Sequence, residues 1–169
     1  AHIMVAVLGE EEKLLERGKL FTKAMAVCCK QKYATGVYTS GVVFEPRFYE
    51  GLADMLKEDE LPIFNWVWFG LYRSEGGLNG YTYGMDVFGK EEMEVLNTDA
   101  EPEELRDFLA SLASYVLACD VTLQDGETIG FSADDKHTIT RSPGVSLPEE
   151  QMTLKIGYEP IKGAVSYTH

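Results

Sequence analysis

The segment from Pro62 to Tyr72 is the most apolar stretch of the sequence, and it constrains the fold more than any other. The alternation of its side chains predicts a β-strand whose two faces are both apolar. One of these faces collects four large aromatic side chains: Phe64, Trp66, Trp68 and Tyr72. Because such rings cannot all be left in water, we expect this strand to be covered by helices on both sides or to face a partner.

A β-hairpin is predicted directly after this strand. Asn79-Gly80 follows Gly76-Gly77 as turn residues, and apolar and polar side chains then alternate from Tyr81 to Val87. Further short strands, bounded by turn residues, are predicted at 2–8, 34–39, 92–96, 128–132, 138–141 and 152–158. The turn at 124–127 contains Asp125-Gly126, which favours a positive φ at the glycine.

Three segments have helical periodicity, at residues 10–31, 45–56 and 99–119. Pro46 and Pro102 stand near the start of the second and third, where proline is favoured. One side of the third helix is predicted to be buried, because its apolar residues recur at helical spacing: Leu105, Phe108, Leu109, Leu112 and Val116. The order of helices and strands predicts an α+β fold, with a mixed, mostly antiparallel sheet and three main helices.

The length of 169 residues fits one domain with a substantial core. We expect a single α+β domain over residues 1–162, followed by a tail at 163–169. The chain begins with Ala1, and residues 2–8 already have the pattern of a strand. Two explanations fit this beginning: a cloning remnant, or a fragment that lacks an N-terminal segment.

The chain is strongly acidic, with 28 Asp and Glu residues against 15 Lys and Arg residues and a net charge of −13. This negative charge argues against both nucleic acid and an anionic membrane as partners, because both are themselves negatively charged. No apolar run reaches the ~18 residues that a membrane span needs, and no basic region precedes an apolar one at the start. Cys28, Cys29 and Cys119 do not make a disulfide framework, so we expect free thiols and a cytoplasmic location.

Sequence motifs for chemistry are absent. There is no glycine-rich phosphate loop, no nucleophile elbow and no zinc-ligand spacing, and we expect neither a metal nor a cofactor. Asp134, Asp135 and His137 are interpreted as a polar turn rather than a cation site. Adjacent carboxylates such as Glu91 and Glu92 are interpreted as solvated surface, since a glycosidase needs two carboxylates that face each other.

Three short segments of the sequence resemble a known family: residues 1–7 (AHIMVAV), residues 79–84 (NGYTYG) and, above all, residues 125–131 (DGETIGF). The chain resembles an uncharacterised bacterial family, domain of unknown function 4261, over nearly its whole length. The resemblance implies that the chain corresponds to the middle and C-terminal part of the family and lacks its N-terminal portion. It implies no activity, cofactor or catalytic residue.

The first functional hypothesis is a cytoplasmic, non-enzymatic interaction or regulatory domain. Its binding surface would be formed by Phe64, Trp66, Trp68 and Tyr72. The partner would be a basic protein, which an acidic, immunity-like protein neutralises, or a second copy of the chain in a dimer.

The alternative hypothesis is an enzyme with a dispersed site around His137, Asp134 and Arg141, with Tyr83 as a further candidate. A deep pocket that holds two or more of these residues would favour the enzyme. An exposed aromatic surface would favour the binding domain instead.

Overall fold

The computed structural model describes residues 1–132 and 135–159, so the predicted tail at 163–169 lies outside the described residues. Two strands form a small antiparallel sheet: β1 (Val37–Thr39) and β2 (Val42–Phe44). Six strands form the main sheet: β3 (Trp68–Ser74), β4 (Gly77–Tyr83), β5 (Met93–Thr98), β6 (Thr128–Ser132), β7 (Asp135–Pro143) and β8 (Met152–Ile156). Their order is β3-β4-β5-β8-β7-β6, and of these pairs only β5 and β8 run parallel.

The described residues also form four α-helices: α1 (Leu14–Cys29), α2 (Pro46–Ala53), α3 (Ile63–Trp66) and α4 (Pro102–Ala118). The predicted fold class is confirmed, because α1, α2 and α4 are the three main helices and the sheet is mixed but mostly antiparallel. Pro46 and Pro102 begin their helices, as predicted. The Glu45 carboxylate caps α2 by accepting the Phe48 backbone N–H at 2.8 Å.

Helix α4 covers one face of the main sheet. Its predicted apolar stripe is buried in the core together with residues of β4, β5 and β8. Gly80 of β4 permits this close approach, since a Cβ atom there would lie 2.9 Å from side-chain atoms of both Leu105 and Leu109. The residues of β4 that flank Gly80 therefore point away from α4, toward the opposite face of the sheet.

The strand predicted from Pro62 to Tyr72 is only partly confirmed. Residues 68–72 belong to β3, but residues 63–66 form the short helix α3, in which the Val67 N–H donates to the Ile63 carbonyl at 2.8 Å. One helical turn puts Ile63, Trp66 and Val67 on the same side, and all three are buried. The strand prediction fails here because a short apolar run fits either periodicity.

Two further sequence predictions concern the N-terminal residues and the cysteines. The strand predicted at 2–8 is wrong: these residues pair with no described strand, and the Val7 carbonyl accepts a hydrogen bond from Arg17 Nη2 at 3.2 Å instead. The prediction of free thiols is confirmed for all three cysteines. Burial raises the pKa of the Cys29 thiol, which keeps this cysteine protonated at neutral pH.

Candidate functional site

A cavity of about 510 Å³ lies beside β3, and we call it the apolar pocket. Its walls come from the β1–β2 hairpin, α2, α3, the start of β3 and one residue of α4. Large apolar side chains dominate these walls, among them Phe44, Phe48, Leu52, Phe64, Trp68 and Phe69. The volume lies in the range of ligand-binding cavities, for which a mostly apolar lining is typical.

The apolar pocket lies at the start of β3. Val67, which caps the C-terminal end of α3, and Trp68 and Phe69, the first two residues of β3, all line it. Strand β3 is the outer strand of the main sheet, and β4 is its one partner among the described strands. The outer side of such a strand presents backbone N–H and C=O groups to a further strand.

Asn65 places an unsatisfied acceptor in the wall of the apolar pocket. This residue is 2% exposed; its Nδ2 donates to the Tyr49 carbonyl at 3.3 Å, and its Oδ1 has no hydrogen-bond partner in the part of the chain that the structure describes. The opposite amide orientation would bring two acceptors together at that carbonyl. An unpaired buried acceptor costs about 1–3 kcal/mol, so a ligand that donates to Oδ1 would be stabilised.

The four residues predicted as a binding surface occupy different environments. Phe64 and Trp68 line the apolar pocket and are 38% and 48% exposed. Trp66 also reaches the pocket but is 4% exposed, because its ring packs against Phe88 and its Nε1 donates to Thr22 Oγ1 at 2.7 Å. Tyr72 lies further along β3, 39% exposed and outside the pocket lining.

A second cavity, of about 390 Å³, lies between α4 and the β6–β7 hairpin, and we call it the acidic pocket. Besides Ser111, its lining combines four carboxylates with four rings: Glu104, Asp107, Asp135 and Glu159 with Phe108, Phe131, His137 and Tyr158. Within the described part of the chain, no lysine or arginine belongs to this lining. The sequence directed attention to Asp135 and His137, whereas the six other charged and aromatic residues come from α4, β6 and the end of the described chain.

Of the candidate catalytic residues of the alternative hypothesis, the three that the structure describes are not brought together. His137 lines the acidic pocket, and Asp134 lies outside the described residues. Arg141 is four residues further along β7 and pairs with the Glu91 carboxylate through Nε at 2.8 Å and Nη2 at 2.6 Å. Tyr83 stands beside Trp68 on the sheet face opposite α4, whereas His137 contacts Phe108 of α4.

Glu92 is a buried carboxylate, so the interpretation of this residue as solvated surface is wrong. Its oxygens accept hydrogen bonds from the backbone N–H groups of Gly84 and Met85 and from the Thr82 hydroxyl, at 2.7–2.9 Å. Burial raises the pKa of Glu92, and these donors partly offset that shift. Glu92 therefore fixes the turn after β4 and is not open to a substrate.

Glu94 of β5 is a second buried carboxylate that the sequence did not indicate. It accepts the backbone N–H groups of residues 145–147 at 2.9–3.2 Å and lies 3.1 Å from Lys155 Nζ. These contacts hold the loop after β7 over the face of the sheet that α4 leaves uncovered. The sequence gives no signal for this role, because the loop follows β5 by about fifty residues.

Within residues 1–132 and 135–159, no three His, Cys, Asp or Glu side chains are grouped so that they could hold a metal ion. In the same residues, no helix combines the length and the apolar character that crossing a membrane requires.

The fold and its cavities define an α+β domain with an apolar pocket at one edge of the main sheet and an acidic pocket toward the other. Residues 81–157, a little under half of the chain, match the model of a family described as Domain of unknown function (DUF4261). The resemblance predicted from the sequence is confirmed over this segment. The chain matches no curated protein and no solved structure. The matched segment contains all lining residues of the acidic pocket except Tyr158 and Glu159, but only Arg106 of the apolar pocket.

Proposed function

We propose that this chain is a non-enzymatic interaction domain that binds an extended segment of a basic protein partner along the edge of β3. The observation that carries this proposal is the apolar pocket of about 510 Å³, which is lined in part by the first residues of an outer strand. A segment added beside β3 would form main-chain hydrogen bonds, which supply affinity. A side chain inserted into the pocket would supply specificity.

The lining of the apolar pocket favours an aromatic side chain that carries a hydrogen-bond donor. Phe64 and Trp68 offer exposed ring surface at the pocket, and the Phe64 and Phe69 rings already pack edge to face at 5.3 Å. Asn65 Oδ1 would accept a hydrogen bond from an indole N–H or a phenol O–H. Tryptophan and tyrosine meet both requirements, and both are common anchors at protein interfaces.

The charge of the chain favours a basic partner. A net charge of −13 attracts a cationic protein over a distance and accelerates its association. Arg106, which also lines the apolar pocket, is held by Asp107 at 2.8 Å and so opposes such a partner little. Acting in the cytoplasm, a domain of this kind would neutralise its partner in the manner of an immunity protein.

The test is a selection of random peptides displayed on phage against the full chain. We expect the selected peptides to combine one aromatic residue with lysine or arginine. Trp68→Ala and Phe64→Ala should each weaken the affinity of a selected peptide by about tenfold or more. Tyr115→Ala is the matched control, because Tyr115 is an exposed aromatic residue of α4 that lines neither pocket.

Amide hydrogen exchange then tests the mode of binding. The bound peptide should slow the exchange of amides in β3, since an added strand pairs with backbone groups that otherwise face solvent. The proposal fails if the selected peptides carry no aromatic residue, or if Tyr115→Ala weakens binding as much as Trp68→Ala. It also fails if exchange in β3 stays unchanged on binding.

A further inference from the structure

We infer that the acidic pocket is a binding site for an organic cation, an alkylammonium or guanidinium group, on the grounds of its carboxylates, its rings and the unpaired nitrogen of His137. This site lies apart from the apolar pocket. The inference therefore stands whether or not the proposed function is correct.

The carboxylates of the acidic pocket come from three parts of the fold and converge on one cavity. Glu104 and Asp107 lie on α4, Asp135 begins β7, and Glu159 follows β8. No lysine or arginine of the described residues lines the cavity, although Arg106 pairs with the Asp107 carboxylate at 2.8 Å, which leaves Glu104, Asp135 and Glu159 as the carboxylates without such a partner there. Clustered carboxylates in a partly enclosed cavity attract cations more strongly than the same groups spread over the surface.

The rings of the acidic pocket form a connected aromatic wall. The Tyr158 ring packs against Phe108 at 4.2 Å between centroids and stacks on His137 at 5.3 Å, and Phe131 meets Phe108 edge to face at 6.2 Å. The Tyr158 hydroxyl donates to Glu104 Oε1 at 2.8 Å, which fixes the carboxylate beside this wall. Rings next to carboxylates attract ammonium and guanidinium groups through both the ring quadrupole and the charge.

His137 gives an independent indication of a missing donor. The residue is 4% exposed, and its Nδ1 lies 2.8 Å from the Gly157 carbonyl oxygen, which can only accept. Nδ1 therefore carries a proton and donates it to that carbonyl. Nε2 lies 2.7 Å from Asp135 Oδ1 yet is left without a hydrogen bond among the described residues.

When the ring carries its single proton on Nδ1, Nε2 and Asp135 Oδ1 are two acceptors 2.7 Å apart that a shared donor would satisfy. An N–H group of a bound ammonium or guanidinium cation could donate to Asp135 and to Nε2 of His137 together. A metal ion fits less well, because the described carboxylates are not grouped to share one ion. The rings would also offer a hydrated metal ion no ligand atoms.

The experiment is an NMR titration of the full chain with n-butylammonium, n-butylguanidinium and the neutral control 1-butanol. We expect the cations to shift the signals of Phe108, His137 and Tyr158 in a saturable manner, and 1-butanol to leave them unchanged at the same concentrations. The nitrogen signals of the His137 ring should show that Nε2 accepts a hydrogen bond only when a cation is bound.

Two variants and one control locate the site. Asp135→Asn should weaken n-butylammonium binding by about tenfold, and Glu159→Gln by a smaller factor, because Glu159 is exposed. Asp135 accepts the Phe131 backbone N–H at 3.1 Å, so Asp135→Asn could loosen the β6–β7 hairpin. Glu159→Gln is therefore a second variant that tests the site without changing this hydrogen bond. Glu149→Gln removes the same charge from an exposed position outside the pocket and should change nothing.

The inference is overturned if 1-butanol binds as well as n-butylammonium, or if Glu149→Gln weakens binding as much as Glu159→Gln. The source of the cation is assigned by a further titration with N-acetyl-glycyl-lysyl-glycinamide. A peptide affinity about tenfold above that of n-butylammonium would identify a lysine side chain of a polypeptide as the ligand. Equal affinities would identify a free small cation.

Discussion

Residues of α4 line both the apolar pocket and the acidic pocket, but the side chains that surround the two cavities differ in polarity and charge. Arg106 lines the apolar pocket, whereas Glu104, Asp107 and Phe108 of the same helix line the acidic pocket. In the first, aromatic rings line the walls together with Asn65, whose amide oxygen has no hydrogen-bond partner among the described residues. In the second, rings stand among four carboxylates. Aromatic side chains alone therefore do not define a ligand; the polar groups between them do.

The two pockets also differ in which part of the chain builds them. Nearly all residues of the apolar pocket precede residue 70, whereas the acidic pocket is built from residue 104 onward. Only the second lies largely within the segment that matches the family. If each pocket has its own ligand, a change in one should leave binding at the other intact.

The largest expected effect is a difference in stability between two tryptophan variants of the apolar pocket, one in the core and one on the proposed binding surface. Trp66→Ala should lower the free energy of unfolding by about 3–5 kcal/mol, because it empties a buried site against Phe88 and leaves Thr22 without its indole partner. Trp68→Ala should cost about 1 kcal/mol or less, because its side chain is half exposed. Urea denaturation of both variants measures the difference.

Equal destabilisation by the two tryptophan variants would contradict the assignment of Trp66 to the core and of Trp68 to the binding surface. The cation titration is the control: Trp68→Ala should bind n-butylammonium as the parent chain does, since Trp68 does not line the acidic pocket. Reduced cation binding by this variant would mean that the pockets are coupled through the sheet.

Sequence patterns were reliable where the local signal and the tertiary packing agree. The stripe of α4 was predicted correctly, because helical spacing specifies one structure. A hairpin was also predicted correctly, but its bounds were wrong: Asn79-Gly80, interpreted as turn residues, lie inside β4, and residues 84–87 lie beyond its end. Residues 2–8 have the composition of a strand but no partner strand among the residues that the structure describes, and pairing cannot be derived from one segment. The helical turn at 63–66 depends on the burial of Trp66 beneath α1, which is a tertiary contact.

The sequence located the sites only in part. Phe64 and Trp68 could be selected as aromatic residues in an apolar stretch, but the cavity beside them needs the β1–β2 hairpin and α2. His137 and Asp135 were noticed for their chemistry, whereas their ring partner Tyr158 lies about twenty residues away. Such convergence follows from strand order, which no local pattern specifies.

A smaller loss of stability is expected from substitutions at two glycines, each in a turn next to the wall of one pocket. Gly126 has φ +81° ahead of β6, as predicted, and Gly41 has φ +74° between β1 and β2. Gly126→Val should cost about 1–2 kcal/mol through backbone strain alone, because no atom lies within 4 Å of its Cβ position. Gly41→Val should cost a similar amount, and thermal or urea unfolding measures both.

The two glycine variants also test whether the pockets are independent. Gly126→Val should disturb n-butylammonium binding, since β6 carries Phe131, and leave the binding of a selected peptide unchanged. Gly41→Val should do the reverse, since Ser40 and Val42 line the apolar pocket. If either variant weakens both kinds of binding equally, the two pockets do not act separately.

The smallest expected effect is the change of ligand affinity with salt concentration. This change distinguishes electrostatic attraction in the acidic pocket from the burial of apolar surface in the apolar pocket. Raising the salt concentration from 0.1 to 1 M shortens the Debye length from about 10 Å to about 3 Å. The affinity of n-butylammonium for the acidic pocket should then fall by about two- to threefold, a modest change because the pocket is partly enclosed. The neutral probe N-acetyltryptophanamide should bind the apolar pocket equally well or slightly better, since salt does not weaken the burial of apolar surface. Parallel fluorescence and NMR titrations at both salt concentrations measure these affinities. An equal loss of affinity for both probes would show that the acidic surface as a whole, rather than the composition of each pocket, controls binding.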